Sequence, residues 1–236
     1  MSTRLGTPRV HLRRTDSTNA RARDLALAGA PHGTLVTAAE QTAGRGRQGR
    51  SWTARGGRAL LCSLVVRDPP RLLPLAAGAA VAETCAELGH EAGIKWPNDI
   101  LVDGRKVAGI LVEGRPQQGW AVLGIGLNVA LRAEDLPPEL QATAGTLGLP
   151  PDALEPVLAR LLQLLADRLS ASDEAILGAV RARDVLKGHS VAWSVGHGTA
   201  AGIDGDGRLV VETADGHVAL DAGEVHLANP IRSPAK

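Results

Sequence analysis

One loop constrains the fold of this chain more than any other feature: residues 44–52 read Gly-Arg-Gly-Arg-Gln-Gly-Arg-Ser-Trp. We call this segment the arginine loop. Glycines let backbone N–H groups approach an anion closely, and arginines add forked, permanently charged donors. Residues 41–67 contain six arginines and no acidic residue, whereas the whole chain of 236 residues has a formal net charge of only +1. This local concentration of charge predicts a site for one anionic ligand rather than for a long polyanion.

The arginine loop nearly fits two phosphate-binding patterns, the Gly-x-Gly-x-x-Gly dinucleotide fingerprint and the P-loop. Both patterns need a strand before the glycines and a helix after them. Residues 34–38 are typical of a strand, but the loop is followed by Gly56-Gly57 and then by residues 59–66, an apolar run with β-branched residues. This order predicts a strand–loop–strand anion site and excludes both familiar turns. A solvated basic loop that touches nucleic acid stays as the alternative interpretation.

The composition favours a globular chain with a sizeable core. Apolar residues make up 44% of the chain, and because Phe and Tyr are absent, Leu, Val, Ala and four Trp must fill that core. Cys62 and Cys85 stand in apolar surroundings, which indicates small buried side chains rather than a disulfide framework. The sequence contains neither a signal-type N-terminal segment nor an apolar run of membrane-spanning length. We therefore expect a cytoplasmic protein with no membrane partner.

Apolar periodicity predicts an alternation of strands and helices up to about residue 186. Strands are predicted at 10–14, 34–38, 59–66, 100–102, 107–112 and 120–129, and helices at 20–28, 72–88, 153–169 and 174–186. After Lys187 and Gly188 the chain changes to short β-type runs at 191–195, 199–203, 209–212 and 217–220, separated by turn residues. This change predicts a domain boundary near residue 187 and a small antiparallel barrel beyond it.

The sequence does not indicate a metal centre of the common kind. Seven histidines are scattered along the chain, and neither Cys-x-x-Cys nor His-Glu-x-x-His occurs. The run Asp-Gly-Asp-Gly at residues 204–207 is similar to the start of a calcium loop, but Arg208 follows where an oxygen ligand is needed. This run therefore predicts a hairpin turn.

Five polar clusters stand at the edges of apolar elements. In chain order they contain Ser17-Thr18-Asn19, Gly44-Arg45-Gly46-Arg47-x-Gly49-Arg50-x-Trp52, Lys95-Trp96-Pro97-Asn98-Asp99, Lys106-x-x-Gly109-Ile110-Leu111-x-Glu113, and Gly124-x-Gly126-x-Asn128-Val129. Several of them have an ordinary structural explanation, such as a helix cap, a turn or a solvated lysine. Together, in this order and spacing, they closely resemble the biotin protein ligases. The resemblance continues at residues 202–204 and 222–225.

The resemblance implies an α+β fold. A catalytic domain over residues 1–186 is expected to be a mixed β-sheet with flanking helices, of the class II synthetase-like, biotin–lipoate ligase type. A small C-terminal β-barrel is expected over residues 187–236. The implied form is monofunctional, because the catalytic pattern starts near Val10 and nine residues cannot form a DNA-reading helix-turn-helix domain. We accordingly expect no repressor activity and no nucleic-acid partner.

The resemblance also implies an activity and its residues. Such ligases activate biotin with ATP and Mg²⁺ as biotinyl-5'-AMP, and then transfer it to a lysine of a biotin carboxyl carrier domain. Lys106, Asp99 and Arg47 are the expected catalytic residues, and Asp99 is the candidate ligand for Mg²⁺. Biotin is expected to contact Ser17, Thr18, Asn19, Gln41, Gly44, Arg45, Gly46, Lys106, Gly109, Gly124 and Gly126. ATP or the adenylate is expected to contact Arg45, Arg47, Arg50, Trp52, Lys95, Asn98, Asp99, Lys106 and Asn128.

Other possibilities stay open. A lipoate ligase or octanoyltransferase shares this catalytic fold and would use a different acyl acid, although the arginine loop and residues 95–99 fit biotin ligases better. The near-neutral charge and the scarcity of aromatic residues argue against a nucleic-acid-binding module. The sequence does not decide whether the protein forms a homodimer. It also leaves open which residue covers the adenine, with Leu147 and Trp52 as candidates.

Overall fold

Two β-sheets and four α-helices make up the part of the chain that the computed structural model describes, which is residues 5–54, 56–221, 223 and 225–227. The strands are β1 Arg9–Thr15, β2 Leu35–Gln41, β3 Ala59–Arg67, β4 Ala92–Lys95, β5 Asp99–Val102, β6 Arg105–Arg115, β7 Trp120–Asn128, β8 Ser190–Trp193, β9 Gly196–Ile203, β10 Leu209–Thr213, β11 Gly216–Leu220 and β12 His226–Leu227. The helices are α1 Thr18–Leu27, α2 Leu73–Glu87, α3 Leu154–Leu169 and α4 Asp173–Arg181.

The larger sheet contains seven strands in the order β1-β2-β3-β7-β6-β5-β4. β1 runs parallel to β2, and the other neighbouring pairs are antiparallel, so the sheet is mixed. β2 and β3 are neighbours, and the arginine loop connects them without an α-helix. The predicted α+β class, the mixed sheet and the strand–loop–strand arrangement are confirmed.

The two faces of the large sheet have different coverings, because alternate side chains of each strand point to opposite faces. On one face, Leu64 of β3 and Leu123 of β7 pack with apolar residues of α2 and α3 in the main core. On the other face, α1 packs over Val36, Val65 and Val122. The candidate site lies on this second face, beside the first turn of α1.

The smaller sheet is antiparallel, with the strand order β11-β10-β9-β8-β12. Its four longer strands lie where the sequence predicts them, and residues 204–207 form the predicted turn between β9 and β10. Within the described residues the outer strands β11 and β12 do not pair with each other, so a closed barrel is not confirmed. Residues 222 and 224 of the 222–225 motif lie outside the described part of the chain, as do residues 1–4 of the first predicted domain and residues 228–236 of the second.

The small sheet packs closely against the large one. The indole Nε1 of Trp96 donates a hydrogen bond to the carbonyl of Gly207 at 3.0 Å, so this tryptophan connects the end of β4 to the turn before β10. Arg181 Nε donates to the carbonyl of Ile203 at 2.9 Å. Leu209 and Val211 of the small sheet are buried in the main core. The two sheets thus share one core. The domain boundary near residue 187 stays a prediction.

The last predicted helix is shorter than expected. The sequence predicts helix over 174–186, but α4 ends at Arg181. Beyond it the backbone pairs with the edge strand β4, since Ile94 N donates to Arg183 O at 2.7 Å and Val185 N donates to Ile94 O at 3.1 Å. The open edge of the sheet thus competes with continuation of the helix, which local sequence patterns do not reveal.

Both cysteines are buried and free, as the sequence predicts. Burial raises the pKa of the Cys62 thiol and of the Cys85 thiol to about 12 in each case, so both stay protonated at neutral pH. In the described part of the chain, no helix has the length and apolar character needed to cross a bilayer.

Candidate active site

A cavity of about 410 Å³ opens on the face of the large sheet that carries α1. It gathers all of the predicted site residues except Gly44. Those that line it are Ser17, Thr18, Asn19, Gln41, Arg45, Gly46, Arg47, Arg50, Trp52, Lys95, Asn98, Asp99, Lys106, Gly109, Gly124, Gly126 and Asn128. The five clusters, which span more than a hundred residues of sequence, thus converge on one volume. Their individual roles stay predictions.

One end of the cavity is formed by a buried polar network at the start of α1. We call it the closed end, because Ser17, Thr18 and Asn19 line the cavity there and are almost fully buried. Ser17 occupies the N-cap position, but its side chain makes no capping hydrogen bond. The backbone N–H and the hydroxyl of Thr18 both lie within hydrogen-bond distance of Gln41 Oε1, at 2.7 and 2.9 Å. The Ser63 hydroxyl lies 2.6 Å from Asn19 Oδ1 and 2.8 Å from the Thr18 hydroxyl. The helix start therefore supplies polar groups to the cavity instead of capping its own backbone.

Asp16 directly precedes this cluster in the chain but does not line the cavity. Its carboxylate accepts the backbone N–H of Ser17 at 2.7 Å and pairs with Arg21. The hydrogen bond from Ser17 is the main cause that holds the pKa of Asp16 below its ordinary value. This carboxylate fixes the turn into α1.

The floor of the cavity is formed by glycines of β6 and β7. Gly109 and Gly126 are directly paired across these strands. A Cβ atom at Gly126 would lie 2.5 Å from Trp52 Cε2, and one at Gly109 would lie 3.0 Å from Trp52 Cζ3. The Trp52 indole therefore lies directly over the bare backbone, with its buried Nε1 lacking a hydrogen-bond partner among the described residues. The absence of side chains at these glycines allows another group to lie against the strands, and in this structure that group is the Trp52 indole.

Lys106 and Asp99 form an ion pair inside the cavity. Lys106 Nζ lies 2.7 Å from Asp99 Oδ1, and the two side chains are 32% and 16% exposed. Lys106 Nζ is also 5.6 Å from the centre of the Trp52 ring, within cation–π range. The lysine is thus held between a carboxylate and an aromatic face, rather than solvated in a loop.

A β-bulge brings Lys106 onto the cavity face. Ile100 pairs with Ala108, but the next residue, Leu101, pairs with Lys106, so Val107 is the extra residue on β6. Val107 and Ala108 are both buried in the main core. Without this bulge, strict alternation would direct Lys106 to the same face as Ala108 and into the apolar core.

The arginine loop is a narrow hairpin at the cavity mouth. Arg45 and Ser51 form an antiparallel bridge, Gly46 N donates to Arg50 O at 2.6 Å, and Trp52 N donates to Gly44 O at 2.9 Å. Gly44 does not line the cavity. A Cβ atom there would lie 2.3 Å from the Trp52 carbonyl oxygen, so its lack of a side chain permits the hairpin to close.

The asparagines of the predicted nucleotide site are anchored by the backbone. Asn98 Nδ2 donates to Ile110 O at 3.0 Å, and Asn98 Oδ1 accepts from Arg47 Nη1 at 3.0 Å. Asn128 Nδ2 donates to Gly145 O at 2.9 Å, while its buried Oδ1 has no hydrogen-bond partner in the described part of the chain. Arg47 is therefore aimed by Asn98, and Asn128 keeps an acceptor available for a ligand.

Sequence reasoning missed part of the wall. The segment after β7 contributes Leu136, Leu140, Thr143 and Ala144, and β12 contributes Leu227. Leu147, an adenine candidate, is buried and does not line the cavity. The segment has no periodic pattern, only short 3₁₀ turns such as Pro138–Leu140, so no sequence signal marks it.

The described residues contain no cluster of three or more His, Cys, Asp or Glu side chains that could hold a metal ion. Asp99 is the only carboxylate among the described residues that line the cavity. This donor set does not form a protein-built metal centre. It fits an ion held mainly by phosphate oxygens and water, with one carboxylate as neighbour.

Comparisons with known proteins agree with this architecture. Residues 11–129 match the biotin/lipoate A/B protein ligase family, and residues 194–227 match the biotin protein ligase C terminal domain. The biotin--[acetyl-CoA-carboxylase] ligase of Mycobacterium tuberculosis is 36% identical over 230 residues, which cover 89% of this chain and 85% of that protein. The bifunctional ligase/repressor BirA of Bacillus spizizenii is 42% identical over 140 residues, which cover 56% of this chain and 43% of that protein.

A solved structure is also similar. The biotin protein ligase from Aquifex aeolicus in complex with biotin and ATP superposes with a TM-score of 0.81 at 28% identity, covering 96% of this chain and all of that one. The family match spans half of this chain and contains all five polar clusters. The chain therefore belongs to the biotin/lipoate A/B protein ligase family and, within it, to the biotin protein ligases.

Proposed function

We propose that this chain activates biotin with ATP as biotinyl-5'-AMP and transfers the biotinyl group to one lysine of a biotin carboxyl carrier domain of a carboxylase. The observation that carries the proposal is the convergence of the five clusters on one cavity, with polar groups at its closed end and cations at its mouth. Two of the similar proteins support these substrates. The M. tuberculosis relative is named as a ligase of biotin to acetyl-CoA carboxylase, and the A. aeolicus ligase is bound to biotin and ATP.

The first step has to bring two anions together. A carboxylate oxygen of biotin attacks the α-phosphorus of ATP, the bond to the β-phosphate bridge breaks, and pyrophosphate leaves. Arg45, Arg47, Arg50, Lys95 and Lys106 all line the cavity, so their positive charge can offset the repulsion. Lys106 is the best placed to bridge the two reacting groups, because its ammonium lies inside the cavity and is oriented by Asp99.

Mg²⁺ is expected to accompany the triphosphate and to reduce its negative charge when bound. Asp99 would be its protein neighbour. In the transfer step, the carrier lysine attacks the carboxyl carbon, AMP leaves with the oxygen it shared, and the amine loses a proton. Asp99 is the candidate to accept that proton, since it is the carboxylate beside the reacting groups.

The closed end of the cavity suits the ureido ring of biotin. That ring carries two N–H donors and one carbonyl acceptor, and the network of Ser17, Thr18, Asn19, Gln41 and Ser63 provides hydroxyl and amide groups in a buried setting. Polar groups in an apolar cavity fix the orientation of a small ligand. The apolar valeryl chain would then run from the closed end toward Lys106, beside the Trp52 indole that covers the glycine floor.

Lipoate is the rival acid, since the family includes lipoate ligases. Its dithiolane ring has neither an N–H nor a carbonyl group, so it would leave the buried network without partners. Sites built to hydrogen-bond a polar group reject analogues that lack it far more strongly than apolar pockets reject a changed methylene. The geometry at the closed end therefore favours biotin.

Pyrophosphate release with ATP and Mg²⁺ tests the proposal, with biotin, lipoate and octanoate each supplied separately to the same folded sample. We expect release with biotin alone, and a biotin carboxyl carrier domain should turn a single burst into continuous turnover. Release with lipoate or octanoate but not with biotin would assign the chain to a different acyl acid. Silence with all three acids would contradict an acid-activating function.

A further inference from the structure

Glu113 does not line the cavity, yet its carboxylate connects two parts of the site. It lies on β6, opposite Val122 of β7. Its Oε2 accepts a hydrogen bond from Asn19 Nδ2 at 2.8 Å, and its Oε1 lies 3.6 Å from Arg45 Nη1. One side chain thus contacts both the closed end and the arginine loop.

At the closed end, Glu113 determines which way the Asn19 amide faces. An ionised carboxylate only accepts hydrogen bonds, so the Asn19 group that faces it must be the Nδ2 donor. Asn19 Oδ1 then faces Ser63, whose hydroxyl lies 2.6 Å away. The amide fits because a Cβ atom at Gly124 would lie 2.1 Å from Asn19 Oδ1. Glu113 therefore fixes the polarity of a group that lines the cavity.

At the mouth, the same carboxylate holds the first arginine of the loop. The Arg45 and Glu113 side chains are 46% and 32% exposed, and a pair of this exposure usually contributes little by itself. Here the carboxylate is already held at its other oxygen by Asn19, so less side-chain freedom is lost when Arg45 pairs with it. Glu113 therefore links the Asn19 amide to Arg45, which lies at the base of the arginine loop.

We propose that Glu113 is a positioning residue that couples occupation of the closed end to placement of the arginine loop. The proposal rests on the proposed function for the identity of the acid. The carboxylate of Glu113 has two effects. It keeps the Asn19 amide in the orientation that binds the acid, and it keeps Arg45 beside the cavity. Both effects act on binding and retention rather than on the chemical step.

The test compares Glu113→Gln with wild type. Glutamine has the same shape and can still accept from Asn19, but it lacks the charge that holds Arg45. Glu87→Gln is the matched control, because Glu87 pairs with Arg160 on the surface far from the cavity. A second variant, Arg45→Met, removes the partner, and the double variant closes a cycle. Thermal melting of each variant checks that the fold is retained.

The first readout needs no ligand and does not depend on the proposed function. Trypsin cleaves after Arg47 and Arg50, so the initial rate of cleavage, mapped by mass spectrometry, reports how the arginine loop is held. Glu113→Gln should raise this rate several-fold, Arg45→Met should raise it to a similar extent, and the double variant should add little more. An unchanged rate in Glu113→Gln, or fully additive effects in the double variant, would overturn the proposal.

The second readout is biotin-dependent pyrophosphate release. Glu113→Gln should raise the KM for biotin and the release rate of the adenylate by roughly tenfold, the loss typical of a charge-assisted contact. The KM for ATP should rise as well, since Arg45 is among the residues expected to contact ATP, while kcat stays within about twofold. Faster proteolysis with an unchanged KM for biotin would overturn the coupling. If wild type itself released no pyrophosphate with biotin, the proposed function would fail, and the ligand-free cleavage would still decide whether Glu113 holds the loop.

Discussion

The closed end of the cavity and the arginine loop at its mouth are built in opposite ways. At the closed end, Ser17, Thr18 and Asn19 are only 2%, 4% and 4% exposed, and their partners come from β2, β3 and β6. In the loop, Arg45 and Arg50 are exposed, and many of the hydrogen bonds join loop residues to each other. The closed end is thus formed by the packing of the sheet, whereas side-chain contacts such as that of Arg47 with Asn98 help to position the loop.

This difference suits the two regions to different functions. A prebuilt polar pocket suits recognition of one acid, because its groups are already oriented and buried. A loop held by side chains such as Arg47 on Asn98 can move to admit ATP and then cover the product. We predict that the loop becomes ordered around the ligand.

The largest effect should come from Lys106, which lies between the two regions. Lys106→Ala removes the ammonium that bridges the reacting anions, so the rate of adenylate formation should fall by roughly 10²–10³-fold. The measurement is single-turnover formation of biotinyl-adenylate, with circular dichroism to check the fold. Arg105→Ala, at the exposed neighbouring residue, should leave the rate near that of wild type. A near-normal rate in Lys106→Ala would remove its assigned role.

The floor shared by both regions can be broken with one methyl group. Gly126→Ala places a Cβ atom 2.5 Å from the Trp52 ring, so the indole must leave the floor and carry the end of the arginine loop with it. We expect adenylation to fall by about 100-fold, as for an ångström-scale misplacement. Gly205→Ala is the control, since nothing lies within 4 Å of a Cβ atom there. Full activity of Gly126→Ala would show that the Trp52 position is irrelevant to catalysis.

A smaller effect, confined to the loop, should follow from Arg47→Ala. The change removes a phosphate-directed cation that Asn98 orients, so the adenylate should leave the enzyme about tenfold faster. The melting temperature should hardly change, because a partly exposed loop side chain contributes little to stability. Release of labelled adenylate into a chase measures the effect, with Arg13→Ala, an exposed arginine of β1 that does not line the cavity, as the control. Unchanged release would contradict the retention role of the loop.

The smallest effect lies outside both regions and should alter stability alone. Burial raises the pKa of Asp184 above its ordinary value of 3.8, although the backbone N–H of Leu186 partly offsets this. The ionised carboxylate therefore lowers the free energy of unfolding at neutral pH. This destabilisation decreases as the pH falls through the raised pKa, and it is absent below pH 3.8, where Asp184 is protonated in both the folded and the unfolded state. Asp184→Asn should stabilise the protein by roughly 1 kcal/mol at pH 7 and by little near pH 4. Denaturant unfolding at both pH values measures this, and equal gains would contradict the assignment.

Much of this organisation is readable from sequence because it is local. The alternation of apolar runs predicts the strands that flank the arginine loop, and the five clusters predict the residues that meet in the cavity. What could not be read depends on long-range pairing. The bulge at Val107 exists because β5 and β6 pair in a shifted register, and only this shift turns Lys106 toward the cavity.

The same limit applies to other residues of the site. Ser63 reads as one polar residue in an apolar strand, and its role appears only when α1 packs over β3. Gly44 carries the same glycine signal as Gly46, yet it serves closure of the hairpin rather than the cavity wall. The end of α4 is decided by the open edge of β4, which lies about ninety residues earlier in the chain.

The most direct test of the central claim is to measure which acid the isolated protein converts into a bound adenylate. The protein is incubated with ATP, Mg²⁺ and either labelled biotin or labelled lipoate, passed quickly through a desalting column, and the retained label is identified by chromatography. We predict close to one biotinyl-adenylate per chain and no adenylate from lipoate. Retained lipoyl-adenylate without biotinyl-adenylate, or no adenylate from either acid, would contradict the account.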